Sequence, residues 1–517
     1  MAGGSGTSVR PLVAASLTAL ATAAVHGRCV AFGFTGLDDR DLVVDDAQFL
    51  AAPGSVLRAF SRAYMHVVDP SHGYYRPIVT ASFALDARWS SASHPWGYHA
   101  TNVALHAAAS VLFLALLREL AMGAWPALAG AIAFAVHPAL ASAVAWIPGR
   151  NDSLLAVFAL AAWLAFARDA ARPSVGWRTA HLAAFALALL TKETAAVVPL
   201  VCMAHALLVG PGGGATGELP TVRTRQDRVR ITTYIAGWTM ALAGFAALHA
   251  GLRSPPLRIG WDSARVLVAS AGKVLVPIFP AAFASAEDLS LWPGLLAIAA
   301  LTGATLRVPG VRRRVVALGA VVFVVGLAPT LAFAGPALDC RLELPACGAL
   351  LAAIEVARAA WASRAAGEGT HTGAIGVAVA VLAALAIVTV AFEGSFRDPR
   401  AFAMQAVDDA PHSSLAHVCL GSVLQAEGDT DRAATEYRTA LSLGPAEIAH
   451  NNLGVIAMAN GHWPEAEREL RSEIDLQPGY ARAYANLAIV LRHEGRLEES
   501  RAAQARADTL GAPLGGR

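Results

Sequence analysis

Long apolar runs, separated by short polar or charged segments, fill the chain as far as residue 393, and beyond that point a self-similar period of 33 to 34 residues takes over. A helix needs about 20 apolar residues to cross the hydrocarbon of a bilayer. Stretches of that kind lie near 12–33, 99–117, 125–145, 152–168, 179–191, 194–210, 231–250, 291–306, 315–334, 340–361 and 373–392, which predicts about 11 membrane spans. The first follows Arg10 like the apolar region of a signal peptide but runs too long for one, so it reads as a retained anchor. Residues 263–284 break the pattern with Lys273, Pro277 and Pro280, which predicts an interfacial or re-entrant element instead of a span.

The tail repeats itself. Gly421 aligns with Gly454 and Ala488, Gly428 with Gly461 and Gly495, Ala433 with Ala466 and Ser500, and Pro445 with Pro478. This period predicts tetratricopeptide units at 414–445, 447–478 and 481–513, each a pair of antiparallel helices. Small residues let the two helices approach, a glycine makes the turn, and proline ends the second helix. The third unit has Gln504 where an aromatic would pack, as suits a terminal repeat. Asn452 and Asn486 hold equivalent places in the first helices of their units, where they either bind an extended peptide backbone or satisfy local helix and turn groups. The fold class is therefore all-α: a polytopic helical bundle over 1–393, a linker over 394–413 and a helical solenoid over 414–513.

Composition adds one constraint. At 56% hydrophobic and 15% charged residues, the chain carries more apolar surface than an aqueous fold can bury. Charge divides at the same boundary as the pattern: residues 1–393 hold 28 Lys and Arg against 21 Asp and Glu, and residues 394–517 hold 12 against 17. Neither part has the basic surface that nucleic acid requires, and the tail lacks a polybasic patch for lipid headgroups. The five cysteines, Cys29, Cys202, Cys340, Cys347 and Cys419, are scattered and odd in number, which suggests neither a disulfide framework nor a zinc site.

Arginines set the orientation. Arg223, Arg225, Arg228 and Arg230 crowd the loop 211–230, Arg168, Arg172 and Arg178 flank an earlier loop, and Arg307, Arg312, Arg313 and Arg314 a later one. With these inside, the outer face receives the first loop (34–98), the Lys192-Glu193 turn, the 335–346 region and the tail. In the first outer loop Asp38 and Asp39 lie within an acidic patch with Asp41, Asp45 and Asp46. Adjacent carboxylates raise one another's pKa, which suits a base near neutral pH, and they equally suit a divalent cation or a solvated loop. Intramembrane polar groups are costly unless they face a cavity or one another. His106, His137, Arg150, Asp152, Lys192 and Glu193 are such groups; each alone is equally well a helix-end polar group or a structural interhelical hydrogen bond, but together, with Arg76 and His99, they point to a shared cavity in which Arg150, Lys192 and Arg341 suit a phosphate.

The order of short motifs resembles the polytopic C-type glycosyltransferases that include protein O-mannosyltransferases, and most closely their transmembrane-and-tetratricopeptide-repeat group. The matching pieces are Leu37-Asp38-Asp39, Tyr75-Arg76-Pro77, Ser82-Phe83-Ala84-Leu85-Asp86, Gly97-Tyr98-His99 with Asn102 and His106, and His137-Pro138. They continue through Ala145-Trp146-Ile147, Gly149-Arg150-Asn151-Asp152, Lys192-Glu193-Thr194 and Asp339-Cys340-Arg341-Leu342-Glu343-Leu344-Pro345. In that last motif Cys340 and Glu343 stand where aromatics are expected. The resemblance implies an acidic residue of the first outer loop as base, here Asp38 with Asp39 beside it, and a polyprenyl- or dolichyl-phosphate sugar as donor. It implies direct displacement with inversion at the anomeric carbon, on a protein or peptide acceptor held by the repeats.

Such an enzyme sits in a bacterial inner membrane with periplasmic repeats, or in the endoplasmic reticulum with lumenal ones. The competing reading is a non-catalytic scaffold that recruits envelope or lumenal proteins. A lipid-linked saccharide transporter fits less well, since the polar residues gather at one face instead of lining a path through the bilayer.

Overall fold

The computed structural model describes residues 9–64, 74–91, 93–210, 225–249, 260–277, 283–285, 287–332, 337–365 and 371–510. Loop residues 211–224 with Arg223, the 65–73 part of the first loop, Pro280, residues 335–336 and the last three positions of the third repeat lie outside that set.

Over its described residues, each predicted apolar stretch is mainly helical. In chain order the helices are α1 (Pro11–His26), α2 (Pro77–Asp86), α3 (Trp96–Glu119), α4 (Ala124–Ala135), α5 (Ala141–Ala145), α6 (Arg150–Ala171), α7 (Val175–Thr191), α8 (Val198–Leu208) and α9 (Arg225–Leu248). They continue as α10 (Trp261–Leu275), α11 (Trp292–Arg307), α12 (Arg313–Ala332), α13 (Glu343–Ala365) and α14 (His371–Glu393). Among the described residues, six helical segments have the length and composition of a span, and a seventh arises if α4 and α5, bent by 49° where His137-Pro138 interrupts them, count as one. Helices α7 and α8 are apolar but shorter. Val377 and Ile387 of α14 are 65% and 69% exposed, an apolar surface suited to lipid. The chain is a multi-pass membrane protein.

The region 263–284, expected as an interfacial element, holds the single helix α10, packed chiefly on α11, followed by β1 (Phe283–Ala284) paired antiparallel with β2 (Ala337–Leu338). Helices α12 and α13 approach until a Cβ on Gly319 would lie 2.5 Å from the Gly348 carbonyl oxygen, the small-residue packing that lets membrane helices touch without a hydrophobic drive. Away from the repeats, Arg312 ties the bundle together. Its side chain pairs with Glu355 at 2.7 Å and donates to the Leu120 carbonyl oxygen at 2.8 Å.

The 394–413 segment, expected as a linker, is instead a packed helix, α15 (Pro399–Asp409), whose Phe402, Ala403 and Ala406 are buried. Three helix pairs follow: α16 (Ser414–Ala426) with α17 (Thr430–Leu443), α18 (Ala449–Ala459) with α19 (Trp463–Leu476), and α20 (Ala481–His493) with α21 (Leu497–Thr509). Gly428, Gly461 and Gly495 take φ values of +87°, +74° and +79° in the turn within each pair, a backbone that glycine adopts without steric cost. A Cβ on Gly421 would strike the Tyr437 ring at 2.7 Å, and one on Gly454 the Leu470 side chain at 2.8 Å, which explains the small residues at those equivalent positions.

Candidate active site

The chain leaves α1 and reaches the two aspartates through Gly36, whose φ of +81° turns it. Asp39 is buried, and its Oδ2 accepts from both the backbone N–H and the hydroxyl of Thr35, at 2.5 Å each. It closes the turn. Asp38 behaves differently: it keeps an accessible edge and, among the described residues, accepts no hydrogen bond and enters no ion pair. Residues Arg40–Val44 then form a π-helical turn, with the Asp45 N–H donating to the Arg40 carbonyl oxygen at 2.7 Å.

Desolvation, helped by the neighbouring Asp41 and Asp39 charges and opposed by Arg76 and Arg341, raises the Asp38 pKa to about 7. Burial also raises Asp39, to about 6, against the lowering effect of its two Thr35 bonds. Of the pair, Asp38 has lone pairs free and a pKa matched to proton transfer near neutrality. The same shift predicts a stability effect. A carboxyl raised in the folded state stabilises below its unfolded pKa of about 3.9, and that contribution is lost as the pH rises through about 7. Asp38→Asn is therefore expected to melt higher than wild type above neutrality and level with it in acid, as read by thermal unfolding across pH.

The other motif residues are largely one another's partners. Arg76 forms a two-pronged bond to Glu193, Nη2 to Oε1 at 2.6 Å and Nε to Oε2 at 3.1 Å, with its guanidinium over Tyr74. Lys192 Nζ lies 2.6 Å from Asp152 Oδ1, and both are buried. Arg150, wholly buried, has Nη1 2.6 Å from Asp86 Oδ2, and it donates to Asn102 Oδ1, Ser82 Oγ and the Tyr98 carbonyl oxygen at 2.8, 3.2 and 2.7 Å. Asn102 in turn donates to the Trp146 carbonyl oxygen at 3.1 Å, and a Cβ on Gly149 would sit 2.6 Å from the Ser142 carbonyl oxygen. The run from Gly149 to Asp152 thus pins α5, α2, α3 and α7 to the start of α6. This corrects the expectation for Arg150, which has no face left open for a phosphate.

Three histidines expected in the cavity are also held by internal bonds, although the buried His99 Nδ1 and His106 Nε2 have no partner among the described residues. His99 Nε2 donates to the Gly33 carbonyl oxygen at 3.2 Å, so that nitrogen carries the proton. His137 Nε2 lies 2.9 Å from the Val274 carbonyl oxygen while its Nδ1 accepts from the Ala139 N–H, holding the break between α4 and α5. His106 Nδ1 meets Glu343 Oε1 at 2.8 Å, and Ser153 donates to Glu343 Oε2 at 2.9 Å, all three fully buried. Glu343 stands where an aromatic was expected because here it bridges α3 and α6.

Arg341 remains. It lies on the short 3₁₀ turn Asp339–Leu342, is half-buried, has no hydrogen bond or ion pair among the described residues, and faces Asp38 closely enough to lower its pKa. Beside it Lys273 of α10 pairs with Asp339 at 2.5 Å. A lysine beside so apolar a run signals a buried counter-ion, and the fold supplies it in Asp339. Among the described motif residues, the groups left open are thus the Asp38 carboxylate and the Arg341 guanidinium. Among the described residues no three His, Cys, Asp or Glu side chains gather as a cation site, so the divalent-metal alternative for Asp38 and Asp39 finds no third ligand. All five cysteines are free and buried.

Residues 99–216, which hold the Arg150, Asp152, Lys192 and Glu193 pairings, match the family profile described as dolichyl-phosphate-mannose-protein mannosyltransferase, and residues 418–480 and 456–513 match tetratricopeptide repeats. The chain is 35% identical over 149 residues to the protein O-mannosyl-transferase Tmtc2 of Drosophila melanogaster, covering 28% of this chain and 16% of that protein. Over these residues the chain is similar to the protein O-mannosyl-transferases. TMTC3 of Mus musculus is 34% identical over 147 residues, again 28% and 16% of the two chains, and Tmtc1 of Drosophila melanogaster 29% over 205 residues, 37% and 24%. The similarity thus spans at most about a quarter of these relatives' length. Asp38 lies upstream of the segment that the profile matches.

Proposed function

We propose that the protein is an integral membrane mannosyltransferase that moves a sugar from a polyprenyl- or dolichyl-phosphate donor to a serine or threonine hydroxyl of a protein. The observation that carries this reading is the unpartnered Asp38 carboxylate, with its pKa raised to about 7, set against the unpartnered Arg341. Asp38 accepts the proton of the acceptor hydroxyl. The hydroxyl oxygen attacks the anomeric carbon, the bond from that carbon to the phosphate oxygen breaks, and the lipid phosphate leaves with the electron pair, which inverts the anomeric configuration. Arg341 faces the charge that grows on the phosphate, where its fork binds two oxygens at once. Lys192 and Lys273, each tied to a carboxylate, add positive potential without serving as primary ligands.

Arg150, Arg76, His99, His106, His137, Asp152 and Glu193 position the walls of this cavity in our reading. The arginine-rich loops face the cytoplasm and the Asp38 face lies outside it, as in the periplasm of a bacterial inner membrane. The repeats hold the acceptor, and Asn452 and Asn486 belong to one chain of amides that supports this role. Asn486 donates to Asn451 Oδ1 at 2.9 Å, Asn451 to Asn452 Oδ1 at 3.1 Å, and Asn452 to the Tyr437 hydroxyl at 3.0 Å. Side chains linked in this way are pre-oriented for a peptide backbone.

Arg341→Gln is expected to raise the KM for polyprenyl-phosphate mannose about tenfold or more while Arg341→Lys recovers part of it, as measured by initial rates in nanodiscs. An unchanged donor KM would remove Arg341 from the phosphate site. Only ionised Asp38 acts as base, so kcat/KM is expected to rise with pH through about 7 and to level off above it. The charges facing Asp38 are Asp39, Asp41, Arg76 and Arg341, and Asp41→Asn, which removes a like charge, should move that limb to lower pH.

A further inference from the structure

The repeat domain does not hang from the membrane body. Phe402 and Ala406 of α15 share one apolar cluster with Trp146 and Cys340 of the body, with Leu37 next to Asp38, and with Cys419 of α16. The Gly33 N–H donates to the Arg397 carbonyl oxygen at 2.9 Å, while the Gly33 carbonyl oxygen meets His99 from the other side. A Cβ on Gly36 would come within 3.2 Å of Pro399 Cβ. The strand that leads into Asp38 is therefore clamped between α3 and the segment that begins the repeats. The Cys419 thiol is raised to about 12 by burial and further by the Asp38 charge, which puts the first repeat helix within the field of that carboxylate.

The third repeat returns to the same loop. Arg482 Nη2 of α20 lies 3.3 Å from Asp45 Oδ2 and acts on Asp41 as well, while Arg40 approaches Asp45 at 3.5 Å. A further contact joins the two parts, where His412 bonds Asp288 Oδ1 through its backbone N–H at 3.1 Å and its ring at 2.9 Å.

The geometry points to a composite catalytic centre, in which Arg397 and Pro399 on one side and Arg482 on the other hold the Asp38 loop in its working position. This rests on the reading of Asp38 as base. Arg482 is then a positioning residue for every acceptor, and the repeats form a wall of the site as well as a recruiting surface.

A peptide of about five residues, about 17 Å when extended, cannot span the three repeats, and so it separates positioning from recruitment. With it as acceptor, a flexible Gly/Ser insertion of about ten residues between α15 and α16 is expected to lower kcat about tenfold or more with KM within about twofold. Arg482→Glu should lower kcat by about two- to fivefold, in keeping with one exposed ion pair. Arg482→Lys and the exchange Arg482→Glu with Asp45→Arg should each restore it. If the insertion misfolds, the Arg482 series decides. Unchanged kcat on the short peptide, with only the KM for long acceptors raised, would overturn the positioning role. Contact is tested apart from catalysis by carbodiimide coupling in the Arg482→Lys protein, which should join positions 45 and 482; no coupling would overturn the docking. Coupling without any transfer by wild type would defeat the reading of Asp38, and the positioning role with it.

Discussion

Asp38→Asn is expected to cut sugar transfer by about 10²–10⁴-fold, the range over which a positioned general base contributes. Asn has the shape of Asp and cannot take a proton, so donor binding should persist while kcat falls. Asp39→Asn provides the contrast. Its remaining carbonyl oxygen can still accept from Thr35, and the change, by removing a buried charge, should leave stability at or slightly above wild type above about pH 6, with most of the transfer rate retained. Rates measured at saturating donor, together with thermal melting of each variant, separate the two outcomes. If both variants lost activity equally with wild-type stability, the division of labour between the neighbours would be wrong. Sequence spacing alone does not distinguish them; the two Thr35 bonds do.

Arg150→Ala is expected to destabilise the protein by about 3–5 kcal/mol, because it leaves Asp86 charged and unpaired in a buried site. Loss of monodisperse protein after extraction would report it, as would a fall in melting temperature. Arg150→Lys should rescue little, since one ammonium cannot reach Asp86, Asn102, Ser82 and the Tyr98 carbonyl in their separate directions. Replacing Asp86 and Arg150 together with apolar residues should recover part of the loss, as it removes both buried charges. A stable Arg150→Ala with a selectively raised donor KM would instead return Arg150 to the phosphate.

The helices and the repeats were legible in the sequence because both rest on periodic signals, apolar runs near the bilayer thickness and a 33-to-34-residue repeat. Pairings were less so. The sequence marks Arg76, Asp86, Arg150, Asp152, Lys192 and Glu193 as costly groups, but a cation answering a carboxylate and a cation answering a phosphate look alike until the fold matches them. Arg76 with Glu193 and Arg150 with Asp86 proved to be internal pairs, which leaves Arg341 open. The packing of residues 394–413 was hidden for another reason. Its Phe402, Ala403 and Ala406 are too few for a span, and only contact with Trp146 and Leu37 gives them a core.

Transfer of radiolabelled mannose from polyprenyl-phosphate mannose to a Ser/Thr peptide, by purified protein in nanodiscs, tests the central claim most directly. The account predicts labelled peptide from wild type and essentially none from Asp38→Asn in the same membranes. Equal labelling by the two proteins, or none from wild type with any polyprenyl-phosphate sugar while the repeats still bind peptide, would contradict it and favour a scaffold.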